Sequence, residues 1–183
     1  MDGTRQGGLD GLVVADTALS DVDGDKGRLL IAGDRIEDLA GRVSFEALCA
    51  RLWALADGQP RTPDSVRQQL GRARLRAFER LPDLAPALRA RDAMEALRAA
   101  VALLDGERED EAGITGAVAV FAAAWPRVRA GQRLHPPDPE AGHAADYLRL
   151  ARGEPASADA AAALDAYLVT VSDHGMNLSL IHI

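Results

Sequence analysis

From Ser44 to Asp173 the apolar residues return every three or four positions, a period that fits α-helices and does not fit the alternation of a half-buried sheet. Phe45, Leu48, Cys49, Leu52 and Trp53 share one face, with Ser44 as N-cap and Gly58 as stop. Thr62-Pro63 opens a second helix, because proline at the first helical position forfeits no hydrogen bond; Val66, Leu70, Ala73 and Ala77 mark its face to about Arg80. Leu81-Pro82 and Ala85-Pro86 interrupt the pattern. Asp92 and Glu95 resemble a capping box ahead of Met94, Leu97, Val101 and Leu104, with Gly106 ending that helix. Ile114, Val118, Phe121 and Trp125 predict a further buried face, which Pro126 should kink or end. Pro136, Pro137 and Pro139 read as a rigid linker, residues 141–152 as a helix, and Ser157 as the start of a last helix running to about Asp173. Its apolar face is Leu164, Tyr167, Leu168 and Val171.

Upstream, residues 12–17 (LVVADT) and 28–32 (RLLIA) are short aliphatic runs separated by the turn-rich 21–27 (DVDGDKG), which predicts a small hairpin. The fold class expected is therefore all-α with a small N-terminal β element, one domain or two at most for 183 residues. Only 4% of the residues are aromatic and 36 are alanine, so the core must be built from aliphatic and Ala side chains. The 105–111 stretch is an acidic connector that reads as a solvated loop.

Charge and cysteine content exclude several function classes. Of 21 bases only Lys26 is a lysine, and the net charge of −7 opposes attraction to nucleic acid or an anionic membrane surface. Cys49 is the one cysteine, so no disulfide within the chain and no Cys-based metal knuckle is expected. The polar start lacks the order of a secretory signal, and no apolar run approaches the roughly 20 residues of a membrane span. A cytoplasmic location, no membrane partner and no nucleic-acid partner are the expectations.

Few residues offer chemistry. Asp21, Asp23 and Asp25 alternate as in a calcium loop, but Lys26 stands at the sixth position and Ala32 at the twelfth, so a turn is expected. His135 and His143 lie eight apart around three prolines without the further ligands a metal centre needs, so no metal is expected. No phosphate loop of the G-x-x-x-x-G-K type occurs. The informative stretch is Ser172-Asp173-His174-Gly175-Met176-Asn177, in which His174 follows Tyr167 and Val171 at spacings of four and three. One reading makes His174 a helix-end histidine facing the helix dipole before a glycine stop. The other aims its imidazole into a cleft to bind an anionic oxygen. Residue types alone leave both open.

Three segments in order resemble the citrate synthase family, including its 2-methylcitrate synthase relatives. Residues 8–40 resemble the family's opening pattern of G-L-x-G-V, T-x-L-S, x-D-G-x-x-G-x-L and I-x-x-L-A. Residues 94–101 (MEALRAAV) resemble M-D-x-L-R-x-A-V, and 164–177 (LDAYLVTVSDHGMN) resemble x-L-x-x-x-A-D-H-G-x-N. Members usually have Tyr-Arg-Gly where this chain has Ile31-Ala32-Gly33, and often His-Pro where it has Asp92-Ala93, which suggests a divergent branch. After Asn177 the family continues with A-S-T, whereas 178–183 read LSLIHI; the resemblance thus implies a truncated reading frame with a non-family tail.

The resemblance implies the helical large domain of a citrate synthase-type enzyme, incomplete. Residues 1–8 would be a polar tail, 9–41 the β element and entry segment, 42–177 part of the large domain and 178–183 the tail outside the family. It implies condensation of acetyl-CoA or propionyl-CoA with oxaloacetate and hydrolysis of the thioester, with no metal or cofactor beyond the coenzyme A thioester substrate, in a homodimer. His174 would be the oxaloacetate-binding histidine, and Asn177 would help order the neighbouring loop. The family's base, its other catalytic histidines and its Arg clamps lie downstream of the Asp-His-Gly motif, so this chain is expected to be inactive alone. The alternative is a non-catalytic helical scaffold or interaction protein derived from the same family.

Overall fold

The structure, a computed structural model, describes residues 17–106, 109–173 and 175. Among these, three short strands, β1 (Ser20–Asp23), β2 (Arg28–Ile31) and β3 (Asp34–Arg35), form an antiparallel sheet in that order. Ser20 pairs with Ile31 and Asp23 with Arg28; Ile31 pairs with Asp34 on its other side. The first described strand thus takes residues 21–23 from the stretch read as a turn, while residues 12–16 of the expected strand fall outside the described residues. Aspartates are poor strand formers, but here they gain partners. Asp23 accepts from the Lys26 backbone N–H at 3.1 Å and from Lys26 Nζ at 2.8 Å, and Asp21 lies 3.4 Å from Arg28 Nη2. The turn shrinks to 24–27. Between β2 and β3, Ala32 and Gly33 both take positive φ, 52° and 84°, the handedness that matches the twist of a two-residue hairpin.

Among the described residues eight helices follow: α1 (Ile36–Leu39), α2 (Phe45–Asp57), α3 (Pro63–Glu79), α4 (Ala85–Leu88), α5 (Ala93–Val101), α6 (Glu111–Arg129), α7 (His143–Arg152) and α8 (Ala158–Thr170). The start residues cap as read, although the reciprocal box forms at Thr62 and Ser65 while Asp92 caps α5 in one direction only. Ser44 accepts from the Ala47 N–H, Thr62 and Ser65 close a reciprocal capping box, Asp92 accepts from the Met94 and Glu95 N–H groups, and Ser157 caps α8. Gly58 ends α2 in the left-handed conformation. Pro86 opens the short α4 rather than merely breaking a helix.

The core has two parts that meet along α3 and α6. Ile31, Leu39, Leu48, Val66 and Leu70 are among the residues filling one, and Leu81, Leu84, Leu88, Val120 and Phe121 are among those filling the other. Small residues set the approach of α3 and α6: a Cβ placed on Gly116 would lie 2.7 Å from Ala73 Cβ. Alanine and glycine therefore do the packing that aromatic side chains do elsewhere, because they let helix backbones come close.

Several expected faces turn out differently. Met94 is 59% exposed, and α5 buries Ala96 and Ala100 instead, ending at Val101 in a tight turn through Leu104 rather than at Gly106. On α6 the buried face is the Ala/Gly side with Phe121; Ile114 is exposed and Trp125 half-buried, its Nε1–H donating to the Ala90 carbonyl at 3.1 Å. Pro126 does not end α6. It falls in the last turn, and the next residue, Arg127, holds that end by donating to the Arg133 carbonyl at 2.8 Å and lying 3.4 Å from that of Ala151. On α8 only Val169 is fully buried; Leu164 and Leu168 are half-buried, Tyr167 and Val171 exposed. That helix stops at Thr170, three residues short of expectation, where Ser172 Oγ donates to the Val169 carbonyl.

The proline segment is not a free linker but is seated on α3. A Cβ on Gly71 would lie 2.1 Å from the Pro139 carbonyl oxygen, a backbone atom that no rotamer change can move aside. Gly71→Ala is accordingly expected to lower stability by about 1–3 kcal/mol in urea unfolding. Gly106→Ala, where nothing lies within 4 Å, should stay within about 0.5 kcal/mol of wild type. Equal effects at the two positions would refute the close seating of the segment.

Candidate substrate site

The stretch singled out in the sequence lies just past α8. His174 and Asn177 are outside the described residues, but Ser172, Asp173 and Gly175 are described. Asp173 Oδ1 accepts two hydrogen bonds, one from Ser20 Oγ on β1 and one from the Gly175 N–H at 2.9 Å. Gly175 has a φ of 94°, a conformation glycine adopts freely, and a Cβ there would sit 3.8 Å from Val22 of β1. Asp173 and Gly175 are therefore both held beside the first strand.

α8 is placed by a second carboxylate. Asp165 accepts from the Phe45 N–H through both oxygens, at 3.1 and 3.2 Å, and so caps the start of α2 across the fold. Partial burial raises the Asp165 pKa above its ordinary value, and the Glu46 carboxylate adds to the shift against that hydrogen bond.

Deeper in, a charged network emerges that the sequence reading missed. Arg74 and Asp146 are both 0% exposed, joined at 2.7 Å through Arg74 Nε and Asp146 Oδ2. Arg74 Nη1 lies 3.1 Å from His143 Nδ1, and Nη2 donates to the Asp138 and Ala141 carbonyls. Arg149 and the Asp138 N–H complete the shell of Asp146, and Glu46 Oε1 accepts from the His143 N–H at 2.7 Å. A guanidinium only donates, so Nδ1 of His143 must accept and the ring proton sits on Nε2. Burial first, then the Arg74 charge, push the His143 pKa down to about 3, so the ring is neutral. Two signals in the sequence could have found this network. Arg74 falls four residues after Leu70 on the apolar stripe of α3, and His143, Asp146 and Arg149 recur at i+3 along α7.

His143 and Phe45, whose rings lie 5.3 Å apart, line an apolar groove of about 410 Å³ between α6 and α8. Its walls are the half-exposed residues expected in the core, Ile114, Val118, Leu164, Tyr167 and Leu168, so their spacing marks a real apolar surface that the described helices leave open. His135 lies elsewhere, beside Leu81 and Leu134, and the two histidines are not brought together. Cys49 is buried, with its thiol pushed up to about 12 by burial and by the Glu46 and Asp165 charges, which makes it a poor nucleophile. Among the described residues, no group of three or more His, Cys, Asp or Glu side chains could hold a metal ion, and no helix is long and apolar enough to cross a membrane.

Comparison with known proteins places this architecture. Residues 8–181 match the family described as citrate synthase, C-terminal domain. A citrate synthase of Haloferax volcanii is 32% identical over 198 residues, covering 98% of this chain and 52% of the relative. A 2-methylcitrate synthase of Mycobacterium tuberculosis is 29% identical over 192 residues, covering 94% and 46%. Citrate synthase from Thermotoga maritima superposes with a TM-score of 0.79 at 21% identity over 95% of this chain and 48% of that one. The enzyme from Thermoplasma acidophilum, solved with carboxymethyl coenzyme A and oxaloacetate, gives 0.75 at 21% identity over 93% and 48%. The chain thus spans about half the length of the curated relatives it matches. Since the family match runs almost from end to end and the helical order is shared with solved members, the chain belongs to the citrate synthase family.

Proposed function

We propose that this chain carries the oxaloacetate-binding histidine of a citrate synthase-type acyltransferase. The complete reaction would condense acetyl-CoA or propionyl-CoA with oxaloacetate and hydrolyse the thioester, and the 183 residues alone would not turn it over. The observation that carries the reading is the Ser172-Asp173-His174-Gly175 run at the end of α8 in a chain of this family. His174 would donate to a carboxylate or carbonyl oxygen of oxaloacetate, where a fixed donor stabilises anionic oxygen better than water does, and Asn177 would order the adjoining loop. Residues 42–177 would be the large-domain part, entered through 9–41, in a cytoplasmic homodimer.

Expected on this reading, oxaloacetate binds the chain in calorimetry or by perturbing a histidine resonance, and His174→Gln weakens binding at least about tenfold, the loss of one charge-assisted hydrogen bond. With acetyl-CoA added, no thiol release above background is expected. The scaffold reading is favoured by the open apolar groove, and it predicts no oxaloacetate binding at all. Oxaloacetate affinity that is untouched by His174→Gln would sink the assignment of that histidine.

A further inference from the structure

The turn that follows α8 is held from outside its own helix, and what holds it is the N-terminal sheet. Ser20 stands at the start of β1, 8% exposed, directly opposite Ile31, which is fully buried in the core. Ala32 N–H donates to the Leu19 carbonyl at 2.8 Å, extending the pairing by one step beyond Ser20. The Ser20 hydroxyl is thus mounted on a backbone that cannot drift. It donates to Asp173 Oδ1, the oxygen that also accepts from the Gly175 N–H. One carboxylate therefore ties Asp173 to the Gly175 amide, and a strand more than 150 residues away in sequence supports that carboxylate.

We propose that Ser20 and Asp173 are positioning residues for the substrate histidine, coupling the N-terminal hairpin to the geometry at position 174. The inference rests on the reading of His174 as the oxaloacetate ligand. Neither Ser20 nor Asp173 needs to touch substrate: the hydroxyl orients the carboxylate, and the carboxylate sets the direction of the chain through the turn. A substrate donor has to sit within about half an ångström of its productive place, and a loop meets that requirement only when other groups lock it. The left-handed Gly175 is part of the device, because its amide must point back to the carboxylate.

The test uses the full 183-residue chain, with Ser20→Ala, Ser20→Thr and His174→Gln variants, read by amide exchange at Gly175 and by oxaloacetate titration of the His174 imidazole resonance. Ser20→Ala should speed exchange at Gly175 and weaken oxaloacetate about tenfold, whereas Ser20→Thr, which keeps the hydroxyl on a strand-compatible side chain, should retain both. Unchanged Gly175 exchange in Ser20→Ala overturns the coupling. Faster exchange with unchanged affinity overturns the positioning role and leaves a purely structural contact. If the wild-type chain takes no oxaloacetate, the substrate reading fails on its own; the coupling then stands only if the His174 titration curve moves in Ser20→Ala, and falls if it does not.

Discussion

Arg74→Met is expected to lower the unfolding free energy by about 3–5 kcal/mol, the usual consequence of removing one member of a buried charge pair and leaving the other behind. The stranded group is Asp146, fully buried, which would keep Arg149 and the Asp138 N–H on one oxygen but lose the guanidinium on the other. The damage extends beyond the pair. Arg74 also ties the Asp138 and Ala141 carbonyls and the His143 ring to α3, so its loss unfastens the proline segment and the start of α7 together. Arg74→Lys should fall between wild type and Arg74→Met, since an ammonium restores the charge but cannot reach these partners with one planar fork. Arg74→Met combined with Asp146→Leu should cost less than the sum of the two single changes, because no buried charge is then left without its partner. Urea unfolding at neutral pH measures all four; an Arg74→Met loss below about 1 kcal/mol would mean the network is incidental to the fold.

The same network shows what a sequence reading can and cannot reach. Helix starts were legible because a cap is a local event: Ser44, Thr62, Asp92 and Ser157 each bond a backbone amide within three residues, and no distant partner decides the matter. Faces were less legible. Ile114 and Tyr167 sit on apolar stripes, yet a stripe states only that a surface is apolar, not that the described chain covers it. The close approach of α3 to α6 is carried by Gly116 and Ala73, which a search for large hydrophobics passes over. Strand β1 was hidden because its aspartates read as turn residues until Arg28 and Lys26 are seen beside them. The Asp173 and His174 motif was visible through resemblance, whereas its support by Ser20 joins residues too far apart in sequence for any spacing rule to link.

Acid should unfold this protein through His143. Its ordinary pKa of 6.5 is driven down to about 3 in the fold, so below 6.5 the unfolded chain binds a proton that the native chain refuses. The sign follows directly: stability from this group is complete above pH 6.5, falls as the pH drops, and levels off only below about pH 3. Between pH 7 and pH 4.5 the expected loss is about 3 kcal/mol, two units of unmatched protonation at roughly 1.4 kcal/mol each. The ring cannot relieve this by charging in place, because protonation would remove the Nδ1 acceptor and set a cation against the Arg74 guanidinium 3.1 Å away. His143→Asn separates this cause from general carboxylate titration. Its amide oxygen can stand where Nδ1 stands and accept from Arg74, so the network keeps an acceptor while the titrating group is gone. The variant should be weaker than wild type at pH 7 by about 1 kcal/mol for the lost ring contact with Phe45, yet its decline to pH 4.5 should be shallower by about 3 kcal/mol. If wild type and His143→Asn lose stability in parallel over that window, His143 is not the group that acid attacks.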